Sequence, residues 1–126
     1  MRSLKVSAVL VGLFAGFVVP YAVLFSVWPM LAFETPDGRT VMPTWFTPIP
    51  LLVFALMPAI AGYISARMAK VQPLLHGLLV GILGALGSAF VHGSPVSVAV
   101  WGLICVSGGV AGAWVYRKQA DVYERL

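Results

Sequence analysis

The chain has 126 residues, 60% of them hydrophobic and only 10% charged, with a mean hydropathy of +0.97. Soluble domains run near half apolar and a quarter charged, and a chain this short has too much surface for its volume to bury such a load in an aqueous core. The net charge of +4 does not point to nucleic acid, because the cations are scattered in twos and threes, and the lone Cys105 excludes an intramolecular disulfide.

Lipid is the solvent that fits this composition. A hydrocarbon core of ~30 Å needs ~20 helical residues, and backbone groups in lipid must be paired within the segment, so long apolar runs there are helices. Four runs qualify: residues 6–31, 49–66, 74–91 and 96–116. The fold predicted is all-α and integral to the membrane, one domain of four transmembrane helices in an antiparallel bundle.

The first run follows Arg2 and Lys5, as a signal peptide would. Its apolar length, Val6 to about Phe33, exceeds the usual ~7–15-residue signal core and lacks a small-x-small cleavage site, so it reads as a retained span. Ala8, Gly12 and Gly16 fall on one face. Pro20 lacks an amide donor, which predicts a kink and leaves the Gly16 carbonyl without its usual partner. The run is long enough to tilt, or it ends at Trp28–Pro29.

The outer loop 34–48 reads as a connector around a tight turn, with Pro36 setting φ and Gly38 taking φ > 0. Val41–Met42 and Trp45–Phe46 are expected to fold back toward the membrane interface. The second run opens at Pro48 or Pro50, where a first helical turn needs no donor. It carries the stripe Ala55–Ala59–Gly62–Ala66, and Pro58 predicts a second kink that frees the Phe54 carbonyl.

The third run starts at Pro73 and carries Gly77, Gly81, Gly84 and Ser88 on one face. His76 and His92 bracket it, too far apart to share a metal, and read as interfacial hydrogen-bonders. The link His92–Gly93–Ser94–Pro95 is so short that the third and fourth runs must form a hairpin, with Ser94 capping the fourth. The fourth carries Gly102, Cys105, Gly109 and Gly112, while the Gly108–Gly109 pair reads as a point of flexibility. Close approach of glycines places the tightest predicted contact here, Gly77–Gly81–Gly84 against Gly102–Gly109–Gly112. The tail, residues 117–126, can continue the helix through i,i+4 pairs Arg117–Asp121 and Asp121–Arg125, with Val122, Tyr123 and Leu126 close to one face.

Orientation follows from charge. Arg2, Lys5, Arg67, Lys70, Arg117, Lys118 and Arg125 fall on one side of a four-span layout and only Arg39 on the other, which places both termini in the cytoplasm. Trp28, Trp45 and Trp101 then lie near the outer interface, and Tyr63, Trp114 and Tyr116 near the inner one. A weak repeat supports a second description as two tandem helical hairpins: Leu79–Val80–Gly81–Ile82 echoes Val9–Leu13, and Ala61–Gly62 with Arg67 matches Ala111–Gly112 with Arg117 at the same spacing.

No Asp, Glu, Lys or Arg lies inside any run. That disfavours proton relays, voltage sensors and the small four-span drug exporters, which need an embedded charge. No phosphate-binding glycine loop, metal-spaced His/Cys set or Ser–His–Asp arrangement is present, so no catalytic residue, metal or cofactor is expected. The small-residue stripes have two readings, an oligomer interface or pore lining, and ordinary packing within one bundle.

Ala66–Arg67 followed by Pro73–Leu–Leu–His–Gly–Leu–Leu–Val–Gly81 resembles a segment of small four-span bacterial membrane proteins. The resemblance covers about a third of the chain. It implies a bacterial inner-membrane location and carries no activity or site residue. The function expected is a non-catalytic accessory subunit or homo-oligomer that works by helix packing, with the bilayer and a membrane partner or a second copy as its contacts. The alternative is an oligomeric channel or transporter for a neutral or lipid-like solute.

Overall fold

The computed structural model describes residues 4–125; Arg2 and Leu126, used above, lie outside the described residues. Four helices are long and apolar enough to cross a membrane: α1 over Val6–Leu31, α2 over Pro48–Ala69, α3 over Pro73–Val91 and α4 over Pro95–Tyr123. Proline stands at the first turn of α2, α3 and α4, where its missing amide costs nothing. Ser94 caps α4, its hydroxyl accepting from the Ser97 amide at 3.1 Å.

α1 is not uniform. Phe14–Val18 forms a π-turn, in which the Val19 amide donates to the Phe14 carbonyl five residues back. The hydrogen-bond register therefore slips one residue just ahead of Pro20, a position that has no donor to contribute. The helix then runs on through Pro20 and Pro29 to Leu31. α2 stays α-helical throughout, Pro58 included.

α2 outlasts its expected end at residue 66 by nearly one turn. Arg67 stands in its last turn and Lys70 closes it in the left-handed region at φ 57°, followed by Gln72 at φ 44°. Between α1 and α2 the chain forms a small hairpin, β1 (Phe33–Glu34) antiparallel to β2 (Thr40–Val41). Its turn is closed by the Gly38 amide donating to the Thr35 carbonyl at 2.8 Å, with Gly38 at φ 78°. A 3-10 turn over Thr44–Phe46 buries Phe46 and leaves Trp45 exposed.

The core is small. Val9, Ala61 and Val80 are buried together, with Leu13, Phe17 and Leu79 packed around them. α4 lies along α2 and α3 to nearly the same extent. Buried helical residues are confined to Ala8–Gly16 of α1, Met57–Ala69 of α2, His76–Gly81 of α3 and Cys105–Ala113 of α4. The second half of α1, Val19–Leu31, has none.

Candidate functional site

The narrowest part of the fold is a junction of α2, α3 and α4. A β-carbon at Gly62 of α2 or at Gly77 of α3 would collide with the carbonyl oxygen of Gly109 on α4. Backbones this close are held by dispersion and Cα–H···O contacts rather than by apolar burial. Gly81 continues the α3–α4 contact, its missing β-carbon 2.7 Å from the Cys105 carbonyl.

Two of the remaining glycines of the expected hairpin contact, Gly84 and Gly112, meet other helices, while Gly102 faces α3 only loosely. Gly84 faces the ring of Phe17 on α1, with the β-carbon site 2.5 Å from Cζ. Gly112 faces the backbone of Ala59 and Tyr63 on α2, and Gly102 is slack, with Ala85 Cβ nearest at 3.8 Å. Gly108, read from sequence only as a flexible point, faces Pro58, whose Cβ lies 2.9 Å from where a β-carbon of Gly108 would be. α4 thus presents Gly108 and Gly112 to α2 and Gly109 to both α2 and α3.

Gly12 meets the Ala61 carbonyl and the Ser65 side chain, and Gly16 meets the backbone and methyl of Ala61. The α2–α4 contacts are reciprocal about Pro58–Gly108: Gly62 meets Gly109 and Gly112 meets Ala59, each pair mapping onto the other at the repeat spacing of fifty residues. The reciprocity stops there. Gly12 and Gly81, which the repeat would equate, meet Ala61–Ser65 and Cys105–Val106.

Among the described residues, two polar side chains, His76 and Ser65, are buried. His76 is fully buried; its Nε2 accepts the Lys5 amide at 3.2 Å and its Nδ1 lies 3.1 Å from the Gln72 carbonyl. The neutral ring with its proton on Nδ1 satisfies both partners, and it ties the start of α1 to the start of α3. The Ser65 hydroxyl is buried with no hydrogen-bond partner. Ser65 carried no signal in sequence beyond its place beside the stripe on α2.

The other end of the bundle is joined mainly by aromatic rings. Phe25 and Tyr21 of α1, Phe54 of α2, Trp101 of α4 and His92 follow one another at centroid distances of 5.1, 6.0, 6.1 and 5.5 Å. At the opposite end the Tyr63 hydroxyl donates to Gln119 Oε1 at 2.8 Å. The tail pairs expected from sequence are not formed: among the described residues the ion pair present is Arg39–Asp37, at 3.2 Å beside the hairpin turn.

The architecture is that of an all-helical chain with four helices able to span a bilayer. No family model, curated protein or solved structure matches the chain.

Proposed function

We propose that this chain is a multi-pass protein of the bacterial plasma membrane, an antiparallel bundle crossing four times with both termini cytoplasmic. It acts without catalysis, as an accessory subunit or homo-oligomer that associates through its helices. The antiparallel α3–α4 arrangement is supported by contacts that run in opposite directions, Gly77 against Gly109 and Ala113, Gly81 against Cys105 and Val106. The orientation is supported by Lys5, Arg67, Lys70, Arg117 and Lys118 gathering at one end, with Arg39 in the hairpin. The two-hairpin description has the reciprocal α2–α4 contacts in its favour, and nothing in the α1–α2 and α3–α4 pairings adds to it.

One observation carries the functional reading. The glycine stripes are largely consumed inside the chain, yet thirteen residues of α1, Val19–Leu31, bury nothing. A transmembrane helix half with no buried residue, touching α2 through Tyr21 on Phe54 and leaving Phe25 and Trp28 exposed, is where another helix finds free surface. The channel reading has less to rest on, because Gly16 is closed by Ala61 and Pro58 is fully buried, where a polar cavity would be needed. Blue-native electrophoresis or mass photometry in mild detergent tests the proposal. A species larger than the 13.4 kDa chain with its detergent is expected, and a strict monomer at cellular concentration, with no partner co-purifying, counts against it.

A further inference from the structure

The end of the bundle formed by the α2–α3 turn, the start of α1 and the last turns of α4 carries Lys5, Arg67, Lys70, Arg117 and Lys118, all exposed. Asp121 and Glu124 are at the same end, and among the described residues neither forms an ion pair with these cations. Lys118 instead lies over the Trp114 ring at 5.6 Å. Arg117 borders a crevice of about 280 Å³ whose other walls are Gln72, Pro73, Leu74 and Leu75. Arg117, Gln72 and three apolar residues therefore border one open, shallow depression.

We infer that this crevice seats the headgroup region of an anionic phospholipid, with the phosphate on Arg117 and Gln72 and the glycerol–acyl region against Pro73, Leu74 and Leu75. A guanidinium matches phosphate oxygens in bidentate fashion and is only weakly hydrated, so it binds phosphate better than a point charge does. The three apolar walls add nothing for a free inorganic anion but fit the first carbons of a lipid. Surrounding cations that form no ion pair among the described residues favour a negatively charged headgroup over a zwitterionic one. The inference rests on the chain being embedded in lipid, as proposed above, and is independent of its orientation and of self-association.

Native mass spectrometry of the full chain in mild detergent with equimolar phosphatidylglycerol and phosphatidylcholine reads the preference directly. Phosphatidylglycerol adducts are expected to predominate, and Arg117→Gln to reduce that preference about fivefold, the worth of one basic group at a membrane surface. Leu75→Trp, which fills the crevice and keeps every charge, is expected to reduce it as well, while Arg39→Gln leaves it intact. Thermal unfolding without added lipid checks that the variants are folded. Adducts without headgroup preference, or an equal loss from Lys118→Gln and Arg117→Gln, would overturn the seat while leaving the membrane reading in place. Absence of adducts of either lipid would overturn both. Erasure of the preference by millimolar inorganic phosphate would assign the crevice to a free anion instead.

Discussion

Adding one methyl group at Gly109 is the sharpest perturbation of the helix junction. A β-carbon there would lie 3.0 Å from the Gly81 amide nitrogen and 3.1 Å from Gly81 Cα, and closer still to the Gly77 carbonyl. All three are backbone atoms of α3, so no rotamer change relieves them. Carbon atoms rest at about 3.5–4.0 Å, so α4 must withdraw by roughly 0.5–1 Å, which forfeits about a quarter to a half of each dispersion contact along the seam. Overpacking of this kind costs ~1–3 kcal/mol, and the helix preference of alanine over glycine returns ~0.5–1 kcal/mol. Gly109→Ala should therefore lower stability by up to about 2.5 kcal/mol. Gly87 has open space where its β-carbon would be and Gly102 only an ordinary contact, so alanine there should raise stability by about 0.5–1 kcal/mol. Leucine at Gly81 or Gly109 should cost more than alanine, while Ala99→Leu, at an exposed position, is tolerated. Thermal unfolding in mild detergent, followed by tryptophan fluorescence, reads all of these. If Gly109→Ala shifted the midpoint in the same direction as Gly87→Ala, the close-packed junction would be refuted.

Three further outcomes follow from single groups. Ser65→Ala removes a buried hydroxyl without a partner and should raise stability by about 1 kcal/mol in the same assay; a loss would show the hydroxyl to be bonded. His76→Leu leaves the Lys5 amide without its acceptor, which should cost about 1–3 kcal/mol and increase hydrogen exchange at the start of α1; unchanged exchange would contradict the tie between α1 and α3. Lys70→Gly relieves a left-handed backbone at φ 57° and should gain up to about 1 kcal/mol, whereas Lys70→Val should lose stability; equal midpoints for the two would contradict the strained turn.

Helix starts were legible because proline and Ser94 act locally: a missing amide or a capping hydroxyl needs no knowledge of the third dimension. The end of α2 was not, because Arg67 marks where the chain stops being apolar, and a helix continues past that point until Lys70 turns it. The missing donor of Pro20 was legible, but nothing local in the sequence marks the π-turn over Phe14–Val18 that precedes it. Spacing identifies which glycines share a face and says nothing of which helix that face meets. Hence Gly84 was assigned to α4 and is found against Phe17 of α1, and Gly112 belongs to the α2 contact. The Gly108–Gly109 pair held a usable signal, since adjacent glycines point in different directions around a helix and suit one packed between two neighbours. His76 looked like an interfacial group because its partner, Lys5, is 71 residues away.

Membrane threading is checked by cysteine labelling at positions 39, 67 and 117 in a Cys105→Ser background. In intact cells only position 39 is expected to react with an impermeant reagent, and outside labelling at 67 or 117 would contradict the orientation.

The most direct test of association through the second half of α1 is disulfide or bifunctional cross-linking in native membranes from a single cysteine at Val23, again with Cys105→Ser. Val23 is exposed and lies in the half-helix that buries no residue. A cross-linked species is expected from position 23, to a second copy or to one defined membrane partner, and little or none from an exposed position on α4 such as Leu103. Equal yields from both positions, or none from position 23, would contradict this association.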